Sequence, residues 1–346
     1  MNPLHLTCYC LFLVVTFGSC KREKHHQVES AFYYWKTSFK LNEKEQQELK
    51  ALNVNHLYLR FLDVDWDVNR KSARPVCPMI FNQQFPATLK PIPVVFITNK
   101  TLLQVDRLAV NELADNIMHF VRRQCELQKI NPAEIQIDCD WTKQSMVRYF
   151  LLLRRVKEHE YLKGKMLSAT IRMHQIKYRT SKGVPPVDKG LLMCYNMGDL
   201  RKYGDHNSIL DQHTIEDYLA NLSSYPLKLD VALPLFSWSV LFRNQLYAGL
   251  LRDLKPSDFQ NEKVFEKQGK RCYQVLNNVN LNGYLLKKGE VLRDESYSAR
   301  DIIQAAKYCS TNLSTDSVRV ILFHLDSSIL NNYHTNELEK IYHSFR

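Results

Sequence analysis

Strand-like and helix-like segments alternate along almost the whole chain, and this order most limits what the chain can fold into. Short apolar runs are followed by longer amphipathic stretches, as in α/β folds with a parallel sheet. Eight runs are predicted to be strands: 32–39, 56–64, 93–99, 135–141, 166–174, 190–197, 229–236 and 318–325. Because eight parallel strands close into a ring, the sequence predicts an α/β fold, a (β/α)8 TIM barrel, over residues 31–346.

Two segments interrupt this alternation. The connection 174–190 is short and rich in proline, so we predict a loop on the barrel rim there. Residues 243–297 form a long excursion between the seventh and eighth strands. Within it, 273–276 and 284–286 flank a turn-like stretch and are predicted to form a β-hairpin. The sequence therefore predicts a small hairpin-containing insertion between strands 7 and 8.

The first 20 residues differ from the rest of the chain. They contain no Lys, Arg, Asp or Glu, and 11–17 is a continuous apolar run. This run is shorter than the roughly 20 residues that span a bilayer, and it suits the apolar region of a signal peptide. It ends in Gly18, Ser19 and Cys20, which resembles the cleavage site of bacterial lipoproteins, where the Cys becomes acylated.

We therefore predict a lipoprotein signal peptide over 1–20, lipidation (palmitate) at Cys20 and a polar tether over 21–30. The protein would then be anchored to a membrane of the cell envelope, on a periplasmic or outer-membrane face. A plain signal peptide with an incidental Cys, or an N-terminal anchor helix, are the alternatives.

The formal net charge of +11 raises the question of a nucleic-acid partner. The Lys and Arg residues are spread along the chain, and no aromatic–basic motif of a nucleic-acid-binding module is present. The sequence therefore argues against nucleic acid and leaves a basic face near anionic lipid or glycan, or scattered charge. The cysteines beyond residue 20 show no C-x-x-C spacing, so neither a zinc site nor a redox motif is predicted. No nucleotide-binding motif is present either, and the sequence predicts no metal and no cofactor. An oxidising compartment would allow a disulfide between Cys272 and Cys309.

The strongest chemical signal lies in the fourth predicted strand. Its alternation directs one set of side chains towards the helices: Ile135, Ile137, Cys139 and Trp141. It directs the other set into the barrel: Gln136, Asp138, Asp140 and Thr142. Buried carboxylates require a shared proton or a partner, and barrel active sites lie at the C-terminal ends of strands. Asp138 and Asp140 are thus candidate catalytic residues, unless Arg or Lys pairs with them in a structural network.

Other strands supply candidate partners and candidate rim residues. On the fifth strand, Arg172 could pair with Asp138 or Asp140, and His174 shares its face. After the second strand, Asp63, Asp65 and Asp67 alternate, as in some Ca²⁺ sites. No glycine-containing EF-hand spacing follows them, so we predict a solvated rim loop there instead.

Residues 138–142 resemble the hallmark strand of family 18 glycoside hydrolases, the chitinase-like barrels. That motif reads Asp-x-Asp-x-Glu with an aromatic residue before the Glu. Asp138, Asp140 and Trp141 match it, whereas Thr142 stands where the family has its catalytic Glu. On the sixth strand, residues 193–196 resemble the family's Met-x-Tyr-Asp, with Asn196 in place of the Asp.

Two further segments bear on the same resemblance. Residues 233–236 are similar to the Leu-Pro-aromatic run of the family's seventh strand. Residues 323–326, on the last strand, lack the Trp that forms the bottom of the sugar subsite in the family. The resemblance implies a sugar-binding barrel mouth. The predicted substrate-binding residues are Gln136, Thr142, Arg172, His174, Tyr195, Asn196 and Trp238.

Family 18 enzymes use the Glu to protonate the leaving oxygen while the neighbouring Asp steadies the substrate's acetamide group. A Thr hydroxyl cannot act as a general acid near neutral pH. Three hypotheses follow. In the first, the barrel binds a glycan without ordinary chitinase catalysis; in the second, it is an active glycoside hydrolase in which Asp140 is the acid, and Asp138 and burial raise the pKa of Asp140. In the third, the protein is a non-catalytic envelope scaffold. Pairing of both carboxylates with cations would favour the scaffold.

Overall fold

The computed structural model describes residues 25–346, and its main body is a ring of eight parallel strands. The strands are β1 (Gln27–Tyr34), β2 (His56–Asp67), β3 (Lys90–Ile97), β4 (Glu134–Asp138), β5 (Met166–Arg172), β6 (Lys189–Met193), β7 (Leu229–Pro234) and β8 (Ser317–Phe323). Strand β1 pairs with both β8 and β2, which closes the ring. The predicted TIM barrel is confirmed.

Ten helices are described along the same part of the chain. They are α1 (Glu43–Ala51), α2 (Asn99–Gln104), α3 (Val110–Gln128), α4 (Met146–Glu158), α5 (Met173–Lys177), α6 (Arg179–Lys182), α7 (Gln212–Tyr218), α8 (Ala299–Asn312), α9 (Ser327–Leu330) and α10 (Thr335–His343). The helical layer is uneven. The connection from β2 to β3 contains the short strands Ser72–Val76 and Ile80–Phe81 instead of a helix.

Two predictions about connections are wrong. The segment 174–190 is more than a rim loop, because α5 and α6 occupy it up to Gly183, which ends α6 with a positive φ of 72°. Residues 63–67 do not form a rim loop either. They prolong β2, because Ser72–Val76 turns back and pairs with them as an antiparallel partner.

The insertion between β7 and β8 is a separate antiparallel sheet. Its strands are Ser239–Arg243, Leu246–Leu251, Phe265–Lys267, Cys272–Val275 and Val291–Asp294. They enclose their own small core, which includes Leu241, Phe265 and Leu292. The insertion is thus confirmed, although it begins at Ser239 rather than at residue 243.

The predicted hairpin within the insertion has the wrong partners. Cys272–Val275 pairs with Phe265–Lys267 and with Val291–Asp294. The hairpin joins Val279–Leu281 to Tyr284–Leu286 across Asn282 and Gly283. Both turn residues have positive φ, 50° and 84°, as a two-residue turn between right-twisted strands requires.

The cysteines of the described residues are all free, so the disulfide considered between Cys272 and Cys309 is absent. Cys309 lies on α8, where its thiol donates to Cys194 Sγ at 3.8 Å inside the barrel wall. Cys272 lies in the insertion and donates to the carbonyl of Gly204. Cys309 therefore packs within the barrel, whereas Cys272 packs within the insertion.

The structure bears on only one of the N-terminal predictions, the boundary of the tether. Strand β1 begins at Gln27, so the last four residues of the predicted tether belong to the barrel. The signal segment 1–20 and Cys20 lie outside the described residues. Among the described helices, none is long and apolar enough to cross a membrane.

A buried charged network, centred on Arg319 of β8, closes the N-terminal end of the barrel. Arg319 Nη1 donates to Glu134 Oε2 at 2.8 Å and to the Tyr58 hydroxyl at 2.9 Å. Its backbone amide donates to Asp230, whose other carboxylate oxygen lies 2.7 Å from Lys189 Nζ. These ion pairs neutralise carboxylates that would otherwise be costly to bury between the strands.

Candidate functional site

Strand β4 and the residues after it carry the carboxylates at the C-terminal mouth of the barrel. The apolar half of the predicted alternation is buried, with exposed fractions of 0–1%: Ile135, Ile137, Cys139 and Trp141. Trp141 stacks on Tyr149 of α4 with ring centroids 5.0 Å apart. This packing turns the polar residues within β4, Gln136 and Asp138, towards the barrel interior, as predicted.

Asp138 ends β4 as a buried carboxylate, with only 5% of the residue exposed. Its Oδ1 accepts a hydrogen bond of 2.7 Å from the hydroxyl of Thr170 on β5. In the described part of the chain, no Lys or Arg forms an ion pair with it. Burial, followed by the charge of Asp140, raises the pKa of Asp138 to about 6.

Asp140 has a different environment, because Arg172 holds it in a two-pronged ion pair. Arg172 Nε and Nη2 each donate to one carboxylate oxygen, and the Nη2–Oδ2 distance is 2.7 Å. Burial alone would lower the pKa of Arg172, but the hydrogen bonds and charge of Asp140 raise it above its usual value. Of the two partners that the sequence offered to Arg172, the structure selects Asp140.

The structure places two predicted substrate-binding residues away from the mouth. Gln136 is fully buried within the barrel, where it accepts from the Tyr33 hydroxyl and donates to Ser168. Thr142 lies beyond the end of β4 and leads into α4. Its amide donates to Ser145 Oγ at 2.9 Å. Strand β4 ends at Asp138, and Thr142 immediately precedes the turn 143–145 that leads into α4.

Four of the other predicted residues line one small cavity of about 150 Å³: Arg172, His174, Tyr195 and Asn196. The cavity is lined by Arg172, Met173, His174, Tyr195, Asn196, Met197 and Tyr218. Two of the polar atoms here, Arg172 Nη1 and the Tyr195 hydroxyl, are buried and have no hydrogen-bond partner among the described residues. Burial lowers the pKa of His174, so its ring is neutral near neutral pH. The cavity thus offers hydrogen-bond donors that the fold leaves unused.

An aromatic cluster adjoins these polar groups. Phe323, at the end of β8, contacts four rings at centroid distances of 5.4–5.6 Å: Tyr33, Trp35, Tyr195 and Phe236. Trp238 packs on Phe236, and its indole nitrogen donates to the buried carboxylate of Glu295 at 2.7 Å. The cluster combines residues that follow β1 and β7 with the end of β8, all at one end of the barrel.

Sequence reasoning did not place Phe323 in the site, because it looked for the family's Trp at this strand end. The available signal was the recurrence of aromatic residues where β1, β7 and β8 end, at Trp35, Phe236 and Phe323. Within residues 25–346, no cluster of three or more His, Cys, Asp or Glu side chains is arranged to hold a metal ion.

This chain is similar to known proteins in its fold and not in its sequence. No family model and no curated protein matches its sequence. Solved structures do match its fold. The Chromobacterium violaceum chitinase is similar with a TM-score of 0.55 and 11% identity, over 90% of this chain and 98% of that one.

Two other solved structures are similar over comparable lengths. The Bacillus cereus spore cortex-lytic enzyme SleL has a TM-score of 0.52 and 15% identity, over 93% of this chain and 75% of that one. A class V chitinase from Nicotiana tobaccum, crystallised in complex with NAG4, has a TM-score of 0.53 and 11% identity, over 90% of this chain and 98% of that one. At these identities the likeness shows the fold, and function must be argued from the site.

Proposed function

We propose that the mouth of this barrel binds a glycan and does not perform ordinary chitinase-type hydrolysis. One observation carries the proposal: Asp140, the more exposed of the two carboxylates, is held at both oxygens by Arg172. Both oxygens of Asp140 already accept hydrogen bonds from the guanidinium, whereas a general acid must present a proton to the leaving oxygen. The same pair leaves Arg172 Nη1 free to donate to a ligand.

The mouth combines the two features that sugar recognition uses. Half-buried aromatic rings at Trp35, Phe236 and Phe323 supply apolar faces on which a pyranose ring can pack. Beside them, Arg172 and Tyr195 supply unpaired donors for hydroxyl or carbonyl oxygens. A mixture of this kind suits a polar ligand with apolar ring faces better than a purely apolar one.

The proteins with a similar fold suggest which class of glycan to test. They include chitinases, one of them crystallised in complex with NAG4. We therefore infer a ligand that contains N-acetylhexosamine. The position of the family's catalytic Glu is occupied by Thr142, which faces the start of α4. Its hydroxyl cannot replace the missing proton donor.

The cellular setting is a separate part of the proposal. We infer from Gly18, Ser19 and Cys20 that the protein is a lipoprotein, acylated at Cys20 and anchored in the cell envelope. Such an anchor would keep the barrel mouth near envelope glycans. Mass spectrometry of the membrane fraction is expected to find acylated Cys20 at the N-terminus, and an unprocessed N-terminus would contradict this assignment.

Glycan binding is tested with Tyr195→Phe, because the hydroxyl that it removes has no hydrogen-bond partner within residues 25–346. Stability is expected to be unchanged, while the Kd for chitotetraose rises about 3–10-fold, the effect of one lost hydrogen bond. The measurement is calorimetric titration of the full chain, with melting temperature as the check on folding.

Tyr308→Phe is the matched control. Tyr308 lies on α8, and its hydroxyl donates to the carbonyl of Glu216 on the outer side of the barrel. This variant should lose a little stability and keep wild-type affinity. If no chitooligosaccharide or N-glycan fragment shifts the melting temperature of the full chain, the glycan proposal fails and the scaffold hypothesis is favoured.

The alternative of an active hydrolase has one observation in its favour. Asp138 is buried, and its pKa of about 6 suits a general acid or base. Incubation with chitooligosaccharides is nevertheless expected to release no sugar. Release that disappears in both Asp138→Asn and Asp140→Asn would establish the hydrolase instead. Release that survives the double variant would point to a contaminating enzyme.

A further inference from the structure

The N-terminal face of the barrel contains a second, larger cavity, at the end opposite the mouth. Its volume is about 400 Å³, which lies within the range of small-molecule sites. It is lined by residues at or near the starts of several barrel strands, among them His56, Lys90, Glu134 and Met166. None of its lining residues takes part in the glycan site.

Apolar side chains form part of the wall of this cavity. Leu89, Ile92, Ile130 and Met166 line it together with Pro91. Met166 is 41% exposed, although it opens a barrel strand. An apolar wall of this kind can shelter a short alkyl or aryl group from water.

The charged groups around the cavity are mostly cationic. Lys90 and Lys129 are exposed at its edge, and neither forms an ion pair within the described part of the chain. Deeper in, Arg319 is paired with the carboxylate of Glu134. The two unpaired ammonium groups therefore leave the entrance positive, and they would attract an anion.

His56 adds an unused polar atom to the lining. Only 7% of the residue is exposed, and its Nδ1 has no hydrogen-bond partner among the described residues. The nearest carboxylate oxygen, on Glu29, lies 4.0 Å away, beyond hydrogen-bond distance. Burial, with the charge of Arg319, lowers the pKa of His56 to about 4. Its neutral ring therefore offers one donor and one acceptor.

We propose that this cavity is a binding site for a small anionic amphiphile, of the class of medium-chain carboxylates. The alkyl chain would lie against Ile92, Ile130 and Met166. The acidic head would remain at the entrance, between Lys90 and Lys129. This site is independent of the glycan proposal, because the two use opposite ends of the barrel and share no residue.

The probe is sodium octanoate, titrated into the full chain by calorimetry. One saturable site is expected. Octanol lacks the charge and acetate lacks the alkyl chain, so each should bind at least about tenfold more weakly than octanoate. If acetate binds as tightly as octanoate, the apolar wall does not contribute to binding. If octanol binds as tightly as octanoate, the lysines do not contribute. Either result overturns the proposal.

The double variant Lys90→Gln/Lys129→Gln should weaken octanoate binding by about tenfold, because both exposed cations at the entrance are lost. Lys287→Gln/Lys288→Gln, at exposed positions in the insertion, removes the same charge elsewhere and should bind octanoate as the wild type does. Unchanged affinity in the first variant, or an equal loss in both, overturns the site.

Discussion

Replacing Arg319 with Ala is expected to lower the free energy of unfolding by about 3–5 kcal/mol, the largest single effect that we predict. Arg319 is only 7% exposed and donates to Glu134 and Tyr58. Its loss leaves the carboxylates of Glu134 and Asp230 buried with less positive charge nearby. Lys189 still pairs with Asp230, but no other described cation lies within ion-pair distance of Glu134.

Urea denaturation of the full chain at pH 7 measures this loss. Arg122→Ala is the control, because it also removes an arginine from an ion pair, but an exposed one with Glu126 on α3. This control should unfold close to the wild type. A deficit no larger than that of the control would show that the network contributes little to stability.

Replacing Asp138 with Asn is expected to stabilise the protein at pH 8 by about 2–3 kcal/mol. Burial raises the pKa of Asp138 to about 6 in the folded chain, whereas an unfolded Asp titrates near 4. The folded state therefore binds this proton more tightly. The resulting stability is fully present below about pH 4 and is lost as the pH rises through 6. Asn has no proton to lose, so the variant escapes this loss.

The difference between Asp138→Asn and the wild type should thus be small at pH 4 and grow towards pH 8 in urea titrations. Asn can still accept the hydrogen bond from Thr170, which keeps the local geometry. Asp316→Asn, at an exposed position, is the control and should follow the wild type at each pH. A difference that does not increase between pH 4 and pH 8 would contradict the buried, high-pKa carboxyl.

A stabilising Asp138→Asn would also inform function. A buried carboxylate that reduces stability at neutral pH is the kind of cost that a binding or catalytic site retains. Asp140 differs, since Arg172 compensates its charge. The two acids are adjacent inward positions in the sequence pattern, yet they carry different chemistry in the fold.

Much of the architecture could be read from local patterns. The buried residues of β4 are those that a period of two assigns to the helix-facing side, with Ile135, Ile137 and Cys139 all at 0–1% exposure. The insertion was signalled by its length and by the turn-like stretch between residues 276 and 284. The pairing of the strands within the insertion was not predictable, because antiparallel pairing joins residues far apart in the chain.

The site was less accessible to such reasoning. Thr142 was assigned to the ligand on the assumption that β4 continues its alternation to residue 142, whereas the strand ends at Asp138. Gln136 does face inward, but it is fully buried and bonded to Tyr33 and Ser168. Phe323 was passed over because it is not the Trp of the family. Its role depends on rings that approach it from β1 and β7, and no spacing in the chain reports such an approach.

The sequence by itself determined that this chain forms a barrel and that Asp138 faces its interior, because side-chain periodicity and the order of segments are local properties. Only the tertiary structure decided that Arg172 binds Asp140 and leaves Asp138 protonatable, that aromatic residues from three strands meet at the mouth, and that a cationic cavity opens at the opposite end. Each of these depends on the register and closure of strands that are distant in the chain, which no local pattern encodes.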